Sequence, residues 1–531
     1  MKVTETFTGS KVPKGTKYLY PASTIFRDAS YTLVSLFLLT YIQYSAPLGY
    51  GWVWNITDAV RSNATYYAQW GVITAIIIIL RIWDGFNDPI MGWIVEKTHF
   101  KTGKYKPWIL IGGLTNAVVL YLMFTLQPGG WWYVVFFGVF YLLWDFTFTM
   151  NDIGYWSMLP SLSSNEKERN DLTTLVSVCA SIGAFLAGGL IPSLVAGDAV
   201  HMYSLVALAI SALFALSQLI LFLFCKEHKR DEKEEKASEG TKFTDMFKIL
   251  KNNSQTRITT IVICVYYLGS SILNGFGLNY FYFNYGYGNG GSIMTYFTVA
   301  YALGTIIAQF IFPALLKKFS RNQLFTISFY ILAIGYVLFF LYDLPLGNGV
   351  YLGLEGLGKT STGAYYGDIG ILCFLGIFIF AGQGLFYLIL LVMMTNTIEY
   401  NEFKFGERRE AVIFSLRPLT AKVASALMSG VTTGGLMITS LLTISSGISE
   451  LEISKGLSQI TKEEVISGAD ELISGIAFDQ LIWLKVFMCL IPLALFIISY
   501  ILIKKFYFID EKYYNNMLTE IDKKHPEEVA K

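Results

Sequence analysis

The chain has 531 residues, of which 54% are hydrophobic and 15% are charged, and its mean hydropathy is +0.49. Soluble domains carry about 25% charged residues, so this composition argues against an ordinary soluble protein and favours a membrane protein. The net charge of +1 implies no nucleic-acid partner. The five cysteines form no CxxC pair, and no nucleophile–base set or metal cluster is evident, so an enzyme is not predicted.

Apolar segments long enough to cross a bilayer recur along the whole chain. Twelve are predicted, at 24–46, 66–96, 107–127, 131–160, 172–197, 202–225, 257–284, 292–316, 323–343, 369–399, 411–445 and 480–505. The charged stretch 226–256 separates six spans from six, and Lys and Glu alternate from Lys226 to Lys236 in a pattern typical of a solvated linker. Two six-span halves with a charged middle loop are what a two-half transporter requires.

These segments predict an all-α membrane protein with twelve transmembrane helices in two six-helix halves. The predicted parts are an N-terminal half with a cation site, a cytoplasmic central loop, a C-terminal half and a cytoplasmic tail, at 1–225, 226–256, 257–505 and 506–531. Lys and Arg concentrate in alternate loops, which predicts that both termini are cytoplasmic and that the acidic segment 447–478 lies outside. We expect a protein of the plasma membrane, in contact with membrane lipid and functional as a monomer.

Polar residues interrupt several of these spans. In the second span, Arg81, Asp84 and Asp88 fall on one helical face. Others lie in spans 1, 4 and 11, namely Asp28, Asp145, Thr149, Asp152, Arg417 and Lys422. Charges within spans usually face a bundle interior or a water-filled cavity. Because carboxylates in a dry site protonate or destabilise the fold unless a cation or water accompanies them, a functional polar cavity is predicted.

Two kinds of ligand fit these side chains. Asp84, Asn87, Asp88 and Thr149 supply hard oxygen ligands for a bare monovalent cation, and the same carboxylates would accept a proton if mutual repulsion and burial raised their pKa values. Asp28 and Asp152 are acceptors for the vicinal hydroxyls of a sugar. Its C–H face would pack on an aromatic platform drawn from Phe148, Trp156 and Tyr387. Since 16% of the residues are aromatic, ordinary packing is the alternative explanation for each platform residue.

One long segment carries a family resemblance. The residues from Arg81 to Gly113, read as RIWDGFNDPIMGWIVEKTHFKTGKYKPWILIGG, resemble the glycoside–pentoside–hexuronide:cation symporter family of the major facilitator superfamily. The resemblance extends to NDIGYWSMLP at 151–160, to Glu168-Arg169, to EYNEFK at 399–404 and to YFIDEKY at 507–513. It covers most of the chain and implies symport by alternating access, with sugar and cation bound in a central cavity.

The resemblance also implies roles for individual residues. By position, the family's cation ligands match Asp84, Asn87, Asp88 and Thr149, its sugar-binding acids and tryptophan match Asp28, Asp152 and Trp156, and its span-11 lysine matches Lys422. Tyr387 stands where the family has a second site aromatic. Arg417 and Asp145 replace neutral residues, so an acidic sugar would favour Arg417, and Asp145 would alter the choice of ion. We expect Lys422, Arg81 and Asp145 to balance charge during coupling.

Charged residues near the predicted cytoplasmic end suggest an inner gate. Arg169, Glu399, Glu402, Arg408 and Arg409 are predicted to form ion pairs that close it, with solvated loop charges as the alternative. The sequence therefore predicts a secondary active transporter for a glycoside or oligosaccharide, coupled to Na+ or, less favoured, to H+, with no other cofactor. Two alternatives are a Na+-coupled lysolipid transporter of the same fold and a membrane sugar sensor that does not transport.

Overall fold

The computed structural model of the protein describes residues 6–7, 12–57, 59–98, 100, 102–159, 162–163, 166–228, 243–342, 344–347, 350–352, 362–407 and 409–524. Within these ranges the chain is almost wholly helical. Helices α1 to α18 run over Lys14–Ala22, Thr24–Ser45, Asn63–Lys97, Lys106–Thr125, Trp131–Met158, Glu166–Val195, Ala199–Phe224, Phe243–Asn252, Ser254–Tyr285, Tyr287–Lys318, Arg321–Leu341, Thr362–Phe405, Glu410–Ile438, Leu441–Gly456, Lys462–Ser474, Phe478–Lys485, Ile491–Phe506 and Glu511–Lys524.

Short strands complete the secondary structure of the described residues. Strand β1, Thr6–Phe7, pairs in parallel with β2, Glu227–His228. Strand β3, Leu344–Gly347, pairs with β4, Val350–Leu352, in an antiparallel hairpin. A π-helical turn at Val486–Leu490 joins α16 to α17, so that both belong to one continuous helical segment.

Twelve helical segments among the described residues are long and apolar enough to cross a membrane, which confirms the predicted all-α, twelve-span class. They correspond one to one with the predicted spans, and most ends differ by a few residues. The first span is an exception because it begins at Lys14 rather than at 24. Helices α1 and α2 meet at Ser23, whose αR backbone continues the helical path between them. The chain is therefore a multi-pass membrane protein.

The chain forms two compact units, each described here by itself. The first comprises Met1–Gly240, Phe281–Thr295 and Ser440–Ile476, and the second comprises Thr241–Tyr280, Tyr296–Thr439 and Ala477–Lys531. The first unit thus contains helices α1–α7 together with α14 and α15. The second contains α8, α11–α13, α16–α18 and most of α9 and α10. The functional parts assigned to 1–225, 226–256, 257–505 and 506–531 stay a prediction.

Close helix crossings position the polar residues of the first unit. Helix α2 packs on α6 and α7, while α5 packs on α3 and α4. At the α2–α6 crossing, a Cβ added to Gly183 would lie 1.9 Å from the Ile25 carbonyl oxygen. At the α4–α5 crossing, a Cβ on Gly112 would lie 2.5 Å from the backbone nitrogen of Asn151. Small residues let membrane helices approach in this way, and the contacts hold α2 and α5, the helices that carry Asp28 and Asp152.

The Lys–Glu alternation after α7 predicts a solvated linker. The structure differs at the first residues of this segment. The side chain of Glu227 is buried and accepts hydrogen bonds from the backbone nitrogens of Lys104, Tyr105 and Lys106, at 3.0, 3.2 and 3.4 Å. It therefore satisfies free N–H groups at the start of α4, where a negative charge is also favoured by the helix dipole. Burial raises the pKa of Glu227, against these hydrogen bonds, which lower it.

The segment 447–478, predicted as an acidic outer segment, contributes two helices, α14 and α15, to the first unit. Glu452 of α14 is 0% exposed and accepts hydrogen bonds from the Gly197 and Ala199 nitrogens and the Tyr287 hydroxyl, at 2.8, 2.7 and 2.7 Å. Gln43 of α2 donates to Ser445 of α14 at 2.6 Å. Burial raises the pKa of Glu452 to about 7, although its three donors lower it.

The second unit is built around the long helix α12. Helix α11 packs along it, and α10 approaches it so closely that a Cβ on Gly304 would lie 2.8 Å from the Ile377 carbonyl oxygen. Near the C-terminal end of α12, the Asn253 side-chain nitrogen donates to the Asn401 side-chain oxygen at 3.1 Å. Helix α18 packs on α12 through a small core that includes Tyr400 and Met517. These contacts hold α12 in place within the second unit.

Candidate functional site

A buried arginine joins the two predicted sugar-binding acids in the first unit. The guanidinium of Arg27, on α2, lies 3.1 Å from the Asp28 carboxylate and 3.3 Å from the Asp152 carboxylate of α5. Arg27 is 2% exposed, whereas the side chains of Asp28 and Asp152 are 26% and 36% exposed. One cation thus serves two carboxylates, and the partly exposed acids retain oxygen lone pairs for further donors.

Aromatic rings surround the same arginine. Its guanidinium lies 4.4 Å from the ring centre of Tyr155 and 5.4 Å from that of Trp156. Tyr155 stacks on Tyr20 at 4.2 Å and donates to its carbonyl oxygen at 2.8 Å, which ties α5 to α1. Trp156 is 38% exposed, so part of its ring is accessible. The group Arg27, Asp28, Asp152 and Trp156, called here the arginine–carboxylate group, therefore combines partly exposed acceptors, a buried cation between them and an accessible apolar face.

A second charged group lies where α2, α3 and α5 pack together. Arg81 is buried, interacts electrostatically with Asp84 and with Tyr141, and forms a side-chain hydrogen bond with Tyr31. Asp145 is also buried and interacts with Tyr141. The structure therefore places Arg81, Asp84 and Asp145 around a common tyrosine. Whether they balance charge during coupling stays a prediction.

The four predicted cation ligands occupy two helices of the first unit that pack on each other. Asp84, Asn87 and Thr149 are buried, and Asp88 is half-buried. The Asn87 side-chain nitrogen is buried without a hydrogen-bond partner among the described residues. Buried polar groups are normally satisfied, and this amide nitrogen is a donor, so it requires a hydrogen-bond acceptor and is not itself a cation ligand. Groups of three or more His, Cys, Asp or Glu side chains able to hold a metal are not found in the described part of the chain.

The predicted aromatic platform is divided between the two units. In the first, Phe148 packs between Tyr31 and Trp144, with ring centres 5.1 and 5.6 Å away. In the second, the Tyr387 hydroxyl lies 2.6 Å from that of Tyr267. Phe148 and Tyr387 are half-buried within aromatic clusters, whereas Trp156 is exposed, so Trp156 has the most accessible ring of the three.

The predicted residues of span 11 lie on α13 in the second unit. Arg417 is exposed and forms a side-chain hydrogen bond with Tyr267, which is itself bonded to Tyr387. Lys422 is half-buried and has interactions of its own. The predicted link between Lys422 and the cation site stays a prediction.

The inner-gate residues are distributed over both units. Arg169 is half-buried on α6. On α12, Glu399 is buried and Glu402 is half-buried. Arg409 pairs with Glu407, a neighbour not predicted to take part, at 2.8 Å. Arg408 lies outside the described residues. The gate itself stays a prediction.

Sequence comparison assigns the chain to a family. The family described as MFS/sugar transport protein matches residues 26–511, which is most of the chain. The chain belongs to this family of the major facilitator superfamily. The lactose permease of Lactobacillus delbrueckii subsp. bulgaricus is 30% identical over 381 residues, covering 69% of this chain and 56% of that protein. The raffinose carrier protein of Pediococcus pentosaceus is 28% identical over 432 residues, covering 78% and 61%.

The chain thus spans between 56% and 61% of the length of these two relatives. The glucuronide carrier protein homolog of Escherichia coli is matched more fully, at 20% identity over 84% of this chain and 86% of that protein. These relatives confirm the glycoside–pentoside–hexuronide resemblance. All three are permeases or carriers, which confirms the prediction of a transport protein rather than an enzyme.

Solved structures of low sequence identity share the fold. A bacterial homologue of the human lysosomal transporter Spinster superposes with a TM-score of 0.55 at 14% identity, covering 92% of this chain and 96% of the other. A nucleoside transporter superposes with a TM-score of 0.54 at 12% identity, covering 91% and 99%. The predicted major facilitator fold is therefore confirmed.

Proposed function

We propose that the protein is a secondary active transporter that moves a glycoside or oligosaccharide across the plasma membrane together with a monovalent cation. The observation that carries this proposal is the arginine–carboxylate group, in which Arg27 contacts both Asp28 and Asp152 beside the exposed ring of Trp156. Carboxylate oxygens accept from vicinal hydroxyls, the buried arginine holds the two acids together, and the indole covers the C–H face of a sugar ring. The names of the lactose and raffinose carriers support a sugar as the cargo.

Na+ is the favoured coupling ion, and H+ is the alternative. Asp84, Asp88, Asn87 and Thr149 offer the hard oxygen atoms that a bare cation requires, and three of the four side chains, all but Asp88, are buried. Transfer of one positive charge through 100 mV supplies about 2.3 kcal/mol, which drives useful accumulation of a neutral solute. In this proposal both termini are cytoplasmic, the protein works as a monomer, and the predicted gate closes the cytoplasmic side.

Transport in proteoliposomes tests the proposal. Purified protein is given labelled lactose under an imposed Na+ gradient, an imposed H+ gradient or neither. We expect concentrative uptake driven by one of the gradients, and its loss in Asp84→Asn and Asp88→Asn. Asp171→Asn, at an exposed position of α6, is the matched control and retains uptake. Concentrative uptake by both site variants would refute the cation assignment.

The same assay separates the alternatives. A sensor binds lactose but shows no flux in any gradient. A lysolipid transporter takes up labelled lysophosphatidylcholine, and excess lactose does not compete with it. The charged acids Asp28 and Asp152 speak against an acyl chain in that region, because burying a charge beside hydrocarbon is costly.

A further inference from the structure

A glutamine is buried inside the sixth membrane-spanning segment, in the first unit. Helix α7, Ala199–Phe224, contains no Asp, Glu, Lys or Arg, and Gln218, near its C-terminal end, is 0% exposed. A polar side chain within a span has no water to bond with, so its amide has to be satisfied by other parts of the protein. Gln218 was not among the predicted site residues, yet its hydrogen bonds connect the helices that carry the two predicted sugar-binding acids.

The two ends of the Gln218 amide bond different helices. Its oxygen accepts from the side-chain nitrogen of Asn151 on α5 at 3.2 Å, and that nitrogen also donates to the Ile109 carbonyl oxygen of α4 at 2.7 Å. The Gln218 nitrogen donates to the Ser23 carbonyl oxygen at 3.2 Å, at the junction of α1 and α2, and to the neighbouring Ser217 hydroxyl at 2.9 Å. One side chain of α7 therefore links α5 to the start of α2.

The two bonded positions lie close in the chain to the acids. Asn151 directly precedes Asp152 on α5, and Ser23 is about one and a half helical turns before Asp28. Arg27 depends on the spacing of the same helices, because its contact with Asp28 is local, whereas its contact with Asp152, at 3.3 Å, joins α2 to α5. A displacement of α5 relative to α2 would therefore separate the two acids and break the contact between Arg27 and Asp152.

Close packing leaves the Gln218 amide little freedom. A Cβ added to Gly113 of α4 would lie 2.6 Å from Cγ of Gln218 and 3.2 Å from the Asn151 side-chain nitrogen. Helix α4 thus approaches both amides as closely as a glycine allows, which is how small residues act between membrane helices. A side chain that is fixed in this way and bonds two helices holds them at a defined separation.

We propose that Gln218 is a positioning residue, which sets the separation of Asp28 and Asp152 for a sugar without touching the sugar. The inference rests on the proposed function and extends it to a residue outside the arginine–carboxylate group. Binding groups have to be held within about 0.5 Å of their productive geometry, so the loss of a support weakens binding. Because Gln218 is 0% exposed, its effect on binding passes through the helices that it bonds. The alternative is an amide that only stabilises helix packing.

Binding and transport kinetics separate these roles. Gln218→Leu keeps a similar volume and removes the hydrogen bonds to both helices. Full-length protein in detergent is titrated with lactose and raffinose, and initial rates of uptake are measured in proteoliposomes. We expect the Kd for lactose or raffinose and the KM for its uptake to rise about tenfold, while Vmax per folded protein stays within about twofold. A purely structural role would lower the Tm and the yield of folded protein and leave Kd and KM unchanged.

Gln69 provides the matched control. It is also 0% exposed within a span of the first unit, on α3, and it also bonds two other groups, accepting from the Gly49 nitrogen at 2.8 Å and donating to the Tyr50 carbonyl oxygen at 2.7 Å. These partners lie in the loop before α3 rather than beside the acids. Gln69→Leu is expected to lower the Tm about as much as Gln218→Leu does, and to leave Kd and KM unchanged.

Two further variants make the test specific. Gln218→Asn keeps the amide but is one methylene shorter, so it reaches only one of its partners, and its Kd is expected to lie between those of the wild type and Gln218→Leu. In a double-mutant cycle, Arg27→Gln already removes the contact between α2 and α5. Adding Gln218→Leu to it is expected to raise the Kd by no more than about twofold, because two residues that act on one geometry are not additive. A tenfold effect in both backgrounds would contradict the proposal.

The outcomes distinguish this inference from the proposed function. If the wild-type protein accumulates lactose or raffinose while Gln218→Leu and Gln218→Asn keep its Kd, the positioning role is refuted and the transporter proposal stands. If Gln218→Leu does not fold, Gln218→Asn decides in the same way. An equal rise of Kd in Gln69→Leu would also refute the role, since the effect would not be specific to the helices that carry the acids. If the wild-type protein neither binds nor accumulates either sugar, the transporter proposal fails, and the positioning role fails with it.

Discussion

The strongest prediction concerns Arg27, which the structure places between two carboxylates. Arg27→Gln removes the positive charge and leaves Asp28 and Asp152 facing each other across a neutral amide. Removing one partner of a fully buried ion pair costs about 3–5 kcal/mol, whereas exposed pairs contribute about 0–1 kcal/mol. Arg27 is 2% exposed, but its partners are 26% and 36% exposed, so water screens part of the loss. We therefore expect Arg27→Gln to lower the free energy of unfolding by about 1–3 kcal/mol, a value between these limits.

Two measurements check this value. In binding titrations with lactose and raffinose, we expect a loss of binding free energy of the same size, about 1–3 kcal/mol, which corresponds to a Kd raised roughly 5- to 150-fold. In thermal unfolding, the same variant is expected to have a lower Tm. Arg27→Lys keeps the charge but lacks the planar fork that reaches both acids, so its Kd lies between those of Arg27→Gln and the wild type.

The matched control is Arg61, an arginine of the same unit that lies 3.2 Å from the more exposed Glu450. Arg61→Gln is expected to lower the Tm without changing the Kd for sugar. A Kd within twofold of the wild type in Arg27→Gln would refute the reasoning, whether or not the Tm falls. That result would mean that Arg27 holds α2 and α5 together but does not prepare Asp28 and Asp152 for a ligand.

Three further predictions concern the first unit. Because the pKa of Glu452, about 7 in the folded protein, exceeds its ordinary 4.5, the folded state retains a proton that the unfolded state loses. Stability should fall by roughly 3 kcal/mol as pH rises from about 4.5 to 7, and Tm measured at pH 5 and pH 8 should show a smaller drop in Glu452→Gln. Glu227→Ala should lower the free energy of unfolding by about 1–2 kcal/mol, because it leaves the backbone N–H groups at the start of α4 without their acceptor, and an equal Tm in variant and wild type would contradict it. Gly183→Ala should lower the Tm by forcing α2 and α6 apart, whereas Gly71→Ala, which meets no atom within 4 Å, should not.

The spans were predictable because a bilayer imposes a length and a composition on each one. Segments such as Ala199–Phe224 carry no charged residue, and a loop with basic or turn residues follows nearly every one. The start of the first span was not predictable in this way. Helix α1 contains Lys14, Lys17 and Pro21, so its sequence is too polar to indicate a membrane span. In the structure it nevertheless packs on α6 and α7 and runs directly into α2.

The site was predictable only where helical periodicity brings its residues together. Asp84 and Asp88 are one turn apart, so their common face follows from sequence alone. Arg27 was missed because adjacent residues on a helix do not face each other, and only the approach of Asp152 from α5 gives the arginine its second partner. Glu452 was missed for a similar reason. Its donors on Gly197 and Ala199 are more than 250 residues away in the chain, and nothing in the local acidic run distinguishes it.

The balance of charge in the first unit bears on coupling. The membrane-spanning parts of α2, α3 and α5 carry five carboxylates, at Asp28, Asp84, Asp88, Asp145 and Asp152, and two arginines, Arg27 and Arg81. Each arginine interacts with a carboxylate, and Asp84 and Asp145 are buried. Because an excess of buried negative charge is costly, a bound cation or proton stabilises this region more than it would a neutral one. In the proposed mechanism, occupancy by the ion and the readiness of Asp28 and Asp152 to accept sugar hydroxyls would be linked through the same electrostatics, which is the physical requirement of a symporter.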